Sequence, residues 1–142
     1  RKKIFLEKFF LTSGVLYSVM EIFLVATSAT LGLSVVSIGI SSVFLLFLVI
    51  TIVGISLNFG TLFPNFHETN IDRLTTSTGG LLTTFASLAY GLLMGLLNFR
   101  AVSFESQPEF WLWFLSAAGI STFLAAFSLY SGIKKIRRLE VV

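Results

Sequence analysis

Four windows of the chain stay apolar for about the length of a bilayer crossing, and the polar residues gather in the joins between them. The windows run over 10–33, 36–57, 79–97 and 110–132, and Glu21 is the one charged residue inside them. A helix needs about 20 mostly apolar residues to cross the hydrocarbon core at its rise of 1.5 Å per residue. Backbone N–H and C=O groups find no water in lipid, so each crossing segment must bond within itself. The pattern predicts an all-α chain, a polytopic transmembrane helical bundle of about four spans forming one transmembrane region.

The joins carry their own information. Between 33 and 36 there is no room for anything but a tight turn, so the first two spans are expected to be antiparallel neighbours, with Gly32 and Ser34 stopping one helix and starting the next. The second join, about 58–78, holds Pro64, His67, Glu68, Asp72 and Arg73; the third, about 98–109, holds Arg100, Glu105, Pro108 and Glu109. Pro108 suits the start of the fourth helix, where a missing N–H costs nothing.

Charge then orients the bundle. Four crossings bring both termini and the second join to one side, which would hold every one of the ten Lys and Arg residues except Arg100. Cytoplasmic joins are the ones enriched in Lys and Arg, so both termini are expected in the cytoplasm. Trp111 and Trp113 would then lie at the opposite interface, where indole rings settle. Composition agrees: 55% of the 142 residues are hydrophobic and 12% charged, about half the charge of a soluble domain. With mean hydropathy +0.92, the solvent for most of the surface is the bilayer of a cell membrane. Basic residues clustered at the two ends and bracketing apolar spans, where a nucleic-acid surface would spread them over one face with aromatics between them, argue against such a surface. The chain opens on Arg1 rather than Met, so it is expected to be a piece of something longer.

Few residues carry chemistry. Glu21 lies about 16 Å along the helix from Phe10, and a carboxylate at that depth costs several kcal/mol unless paired, protonated or wet. Three readings stand open: a residue on a translocation path, a hydrogen-bonded packing residue, or a residue near the interface. Gly91 and Gly95 form a small-xxx-small pair for close helix packing, within the bundle or against another subunit. Ala118, Thr122 and Ala125 make a similar row, expected to pack inward. Thr27, Ser28, Thr30, Thr51, Thr83, Thr84, Ser121 and Thr122 lie inside the windows, most of them expected to bond back to their own helix carbonyls. His67, Glu68 and Asp72 are metal-ligand types at a spacing that matches no metal site, there is no cysteine, and no metal or other cofactor is expected. The sequence holds no G-x-x-x-x-G-K-[ST] phosphate loop, and nothing marks a nucleophile for His67, so the chain is not expected to be an enzyme.

The second join reads Gly60-Thr61-Leu62-Phe63-Pro64-Asn65-Phe66-His67-Glu68-Thr69-Asn70 and leads to Gly79-Gly80. It resembles the G-x-x-[FY]-P-x-F-x-x-x-N…G-G pattern of permease subunits in an ABC-2-type exporter family, and the chain looks like their C-terminal membrane portion. The basic start at Arg1 to Lys8 and the basic ending Lys134-Lys135-Ile136-Arg137-Arg138 are similar too. The chain departs from the pattern at Ile71, where members often have proline. The resemblance implies a membrane-spanning permease that forms part of an export pathway. It implies a separate ATP-binding subunit that hydrolyses ATP, and a second permease half, identical or different. It would place Pro64, His67, Glu68, Asn70, Asp72 and Arg73 at the contact with that subunit, and the start near Arg1 to Phe10 along the membrane surface. The competing expectation is a small four-helix membrane protein with a structural or accessory role. Neither reading names a substrate.

Overall fold

The computed structural model describes residues 2–62 and 78–139, with side chains over 3–60 and 78–134. Four α-helices fill those ranges: α1 (Lys2–Thr30), α2 (Val35–Leu62), α3 (Thr78–Ser103) and α4 (Glu109–Leu139). Each is long and apolar enough to span a membrane. Each also extends beyond its apolar window, because the helix hydrogen-bond ladder does not stop where hydrocarbon gives way to headgroups.

The first connection is built as its residues require. Gly32 takes φ 66°, a left-handed conformation open to glycine at no steric cost. There the Leu33 N–H reaches the Ser28 carbonyl at 3.1 Å and the Gly32 N–H the Ala29 carbonyl at 3.2 Å, a complete Schellman cap. Two residues later Ser34 starts α2, its Oγ accepting the Ser37 N–H at 3.1 Å. The second connection between described helices, 104–108, closes through turns such as the Gln107 N–H to the Phe104 carbonyl at 2.9 Å, and α4 begins just after Pro108.

Helix α2 is the axis of the bundle. It packs against all three other helices, whereas α1 touches α4 only at an edge and does not reach α3. The sequence explains the choice: α2 is the most apolar of the four and apolar on all sides, the character of a helix surrounded by others. One core cluster joins Phe44 of α2 with Tyr90, Met94, Leu97 and Ala101 of α3 and Ala117 of α4. A second joins Phe9 of α1 with Val49 and Val53 of α2. The outside is carpeted with Phe10, Phe23, Phe85, Leu92, Trp111 and Phe123, each 60% or more exposed, a surface only lipid can solvate.

Both ends of the described chain meet at one end of the bundle. Phe5, Phe9 and Ser13, spaced four apart, are the buried stripe of α1. Phe5 lies against Gly132 of α4, where a Cβ would stand 3.1 Å from the ring, and Phe9 lies beside Gly54 of α2. Residues 2–10, which the resemblance placed along the membrane surface, continue α1 without a break, and the aromatic stripe docks them on α2 and α4. The inward row of α4 is also shifted by one from expectation. Ala117, Ser121, Ser128 and Gly132 are buried, whereas Thr122 is exposed, because the face that meets α2 and α3 is the one that Tyr90 and Met94 fill.

Candidate functional site

Polar side chains inside the bundle gather at two levels. The first crosses α1, α2 and α3 near the end that holds the two turns. Ser42 Oγ donates to Glu21 Oε1 at 2.5 Å, tying α1 to α2. Its neighbour Ser41 points the other way, to the side chain of Asn98 on α3, at 3.2 and 3.3 Å for the two pairings. Adjacent residues on α2 therefore hold two polar groups on opposite flanks at one depth, about 10 Å along the helix from its start. Nearer the turns, Ser37 Oγ donates to Glu105 Oε2 at 2.9 Å and joins the Ser34 hydroxyl at 2.8 Å, so the two connections are bonded to each other. Arg100 stacks over the Trp113 ring at 6.0 Å from its centroid.

Glu21 takes one close hydrogen bond, from Ser42, with the Tyr17 hydroxyl as a further, looser partner. Its Oε2 is buried and takes no close hydrogen bond among the described residues. Tyr17, one turn earlier, is close enough to interact with the carboxylate. No Lys or Arg among the described residues forms an ion pair with it; the ion pair found there, Lys3 with Glu7 at 3.8 Å, is exposed at the far end of α1. A buried carboxyl oxygen without a close donor is costly, and in membrane helices such groups tend to line a bundle interior or a path.

Beside this polar level lies a cleft. Because α1 does not reach α3, the two helices flank a slot floored by α2. It holds about 120 Å³ and is open to the outside of the bundle, between Leu24 of α1, Phe44 and Leu48 of α2, and Met94 and Gly95 of α3. Ser41 and Asn98 form its polar rim.

The second polar level is a closed knot. The Tyr90 hydroxyl lies 2.6 Å from Ser121 Oγ and 3.2 Å from Thr51 Oγ1, all buried between α2, α3 and α4. Thr51 donates to the Ser121 carbonyl at 3.3 Å, and Ser121 to the Ala117 carbonyl at 2.6 Å. With Tyr90 donating to Ser121, each of the three hydroxyl protons has an acceptor, so the knot can sit in a dry core.

The expected positions distribute unevenly over this geometry. Glu21 is at the α1–α2 interface, hydrogen-bonded and inside the bundle. Neither Gly91 nor Gly95 has a neighbour within 4 Å of a Cβ built upon it; Gly95 borders the cleft instead of seating another helix of this chain. Thr27, Thr30, Thr83, Thr84, Ser121 and Thr122 bond to carbonyls of their own helices, as the energetics of a lone hydroxyl in lipid require, whereas Thr51 crosses to α4. Pro64, His67, Glu68, Asn70, Asp72 and Arg73 lie outside the described residues. Among the described residues no three His, Cys, Asp or Glu side chains gather as a metal site would need.

Ser41, Ser42, Asn98 and Tyr90 were not foreseen. Each is one of several polar residues on a mainly apolar helix, and the available signal was position: Ser41-Ser42 interrupts the greasiest helix, and Asn98 falls within one turn of the third window's end.

No curated protein and no solved structure matches the chain. A family described as "Putative ATP-binding cassette" matches residues 1–141, a stretch that takes in all four membrane-length helices and both polar levels, and the chain belongs to that family.

Proposed function

We propose that the chain is the membrane part of an ABC-2-type exporter permease, and that it works with a separate ATP-binding subunit. The observation that carries the proposal is a pairing of two facts. The family is described as an ATP-binding cassette, yet the residues that match it form membrane helices and contain no phosphate loop. In this reading these helices supply the path and a partner subunit supplies the hydrolysis.

In this reading both chain ends and the second join face the cytoplasm, which follows the Lys and Arg distribution. That side carries Pro64, His67, Glu68, Asn70, Asp72 and Arg73, the residues of the join placed to dock a soluble subunit. Closure of that subunit on ATP would press on the ends of α2 and α3, which flank the join. A second permease half, identical or different, completes the path. Glu21 serves as a polar station on it, within a multi-pass protein of the cell membrane.

The experiment uses the polypeptide that carries this chain, affinity-tagged and extracted in mild detergent from its own cells. A co-purifying protein with a phosphate loop is expected, together with ATP hydrolysis that survives reconstitution in lipid. Replacing both Asp72 and Arg73 by Ala should weaken that association and leave membrane insertion intact. If the tagged protein carried no phosphate-loop partner from native membranes, or if the association ignored every substitution in the second join, the permease reading would be wrong.

A further inference from the structure

We propose that the seam where α1 docks on α4 binds the phosphate headgroup of one anionic phospholipid, with a tail lying along the exposed face of α1. The inference stands apart from the permease reading, because it uses only the described helices and the bilayer around them.

The seam is a meeting of three helices. The Phe5 ring of α1 lies against Gly132 of α4, where a Cβ would stand 3.1 Å from the ring and 3.9 Å from Asn58 Oδ1 of α2. All three residues are buried. Basic positions surround this contact. Lys2 and Lys8 lie three residues to either side of Phe5, and Lys135 lies three beyond Gly132. Three residues turn a helix through about 300°, so each of these positions is within one turn of the contact and about 60° around from it. Each helix continues outward from the contact, α1 to Lys2 and α4 to Lys135.

Charge selects an anion. Seven of the eight described Lys and Arg residues stand at this end of the bundle, with one described acid, Glu7. Glu7 is two residues from Phe5, about 200° around α1, where it is exposed and paired with Lys3 at 3.8 Å. The docking of α1 on α4 therefore gathers cationic positions at a seam with no described acid, and they repel one another until an anion joins them.

Depth makes the anion a lipid. The apolar windows begin at 10 and end at 132, so the seam lies where hydrocarbon gives way to headgroups, the layer that holds lipid phosphates. Leu11 and Val15, three and seven residues on from Lys8, continue its face of α1 into the hydrocarbon, and both are exposed. A soluble anion would meet the cations and leave that apolar row unused, whereas a phospholipid uses both. A zwitterionic headgroup would bring a cation of its own to the seam, so the lipid is an anionic one.

The full chain, purified in dodecyl maltoside, is titrated with phosphatidylglycerol or phosphatidylcholine of the same acyl chains, and bound lipid is counted by native mass spectrometry. One phosphatidylglycerol is expected to bind roughly tenfold or more tightly than phosphatidylcholine. Lys2→Gln and Lys135→Gln should each weaken it about fivefold, the equivalent of about 1 kcal/mol per cation. Lys134→Gln removes the same charge at the same end, but Lys134 lies about 200° around α4 from Gly132, over the Tyr130 ring, and should leave binding as in the wild type. Gly132→Leu keeps every charge and parts Phe5 from α4, so it should abolish the preference for phosphatidylglycerol while α3 stays protected from hydrogen exchange. The proposal is overturned if Lys134→Gln costs as much as Lys2→Gln and Lys135→Gln, the mark of a diffuse field, or if Gly132→Leu keeps the wild-type preference. It is overturned equally if the two lipids bind alike, or if glycerol 3-phosphate displaces the lipid, which would give the seam to soluble phosphates.

Discussion

Removing the Tyr90 hydroxyl should cost the bundle little, and removing the ring should cost it much more. In Tyr90→Phe, the hydroxyl's contacts with Ser121 Oγ and Thr51 Oγ1 disappear, and with them the one proton that Tyr90 donates. The two remaining hydroxyl protons keep their acceptors, Thr51 on the Ser121 carbonyl and Ser121 on the Ala117 carbonyl, so no donor is stranded. Interhelical hydrogen bonds in membrane proteins average about 0.6 kcal/mol and reach about 1.7, so the expected loss falls in that range. Tyr90→Ala also empties a site 5% exposed, packed with Phe44, Met94 and Ala117. A void on the order of 100 Å³ at about 24 cal/mol per Å³ adds about 2 kcal/mol. The contrast is read by reversible unfolding in mixed micelles with rising dodecyl sulfate, followed by circular dichroism. A double-mutant cycle with Ser121→Ala should return a coupling of about 0.6 kcal/mol. If Tyr90→Phe costs as much as Tyr90→Ala, the hydroxyl does more than close a satisfied knot, and Tyr90 is not the donor to Ser121.

Three further outcomes follow from the geometry. Gly132→Leu would place its side chain where the Phe5 ring lies, so hydrogen exchange over residues 3–13 should rise while α3 stays protected; unchanged exchange would show that Phe5 does not dock there. Gly32→Ala should lose about 1 kcal/mol in the same micelle titration, and Gly32→Asn less, because φ is 66° and asparagine tolerates it; equal stability of all three would refute the strained turn. Arg100→Gln should lose about 0.5–1 kcal/mol and shift the Trp113 emission in a Trp111→Phe background, the expected effect of removing a cation from an indole face; an unshifted spectrum would mean the stacking is absent.

Much of the architecture was legible because lipid imposes a simple rule. Spans over 36–57 and 79–97 could be read from the absence of charge alone, and the Gly32–Ser34 turn from residue types that permit a left-handed cap and a helix start. What could not be read was which face of each helix meets which neighbour. In water the apolar stripe announces the buried side, but a membrane helix is apolar all round, and α2 shows almost no sidedness. The row Ala118–Thr122–Ala125 and the true inward row through Ala117 and Ser121 differ by a turn of about 100° that hydropathy does not register. Glu21 stood out as a lone carboxylate, yet its partner Ser42 did not, since one serine among many carries no label until the helices are laid together. The role of Asn98 was hidden for another reason: α3 runs on through it to Ser103, so a residue that reads as the start of a loop is a helical residue facing α2.

The central position of α2 also sets an order of assembly. A polypeptide enters the membrane helix by helix, and α2 arrives before two of its three neighbours exist. Of the helices described, only α1 is there to receive its polar groups, through Glu21 and Ser42, while Ser41 and Thr51 wait for Asn98 and for α4. The hairpin of α1 and α2 is thus a provisional unit, held by one carboxylate–hydroxyl contact, a tight cap and the packing of Phe9 on Val49 and Val53. A fragment ending at α2 would hold those hydroxyls only by bonding them back to its own helix carbonyls.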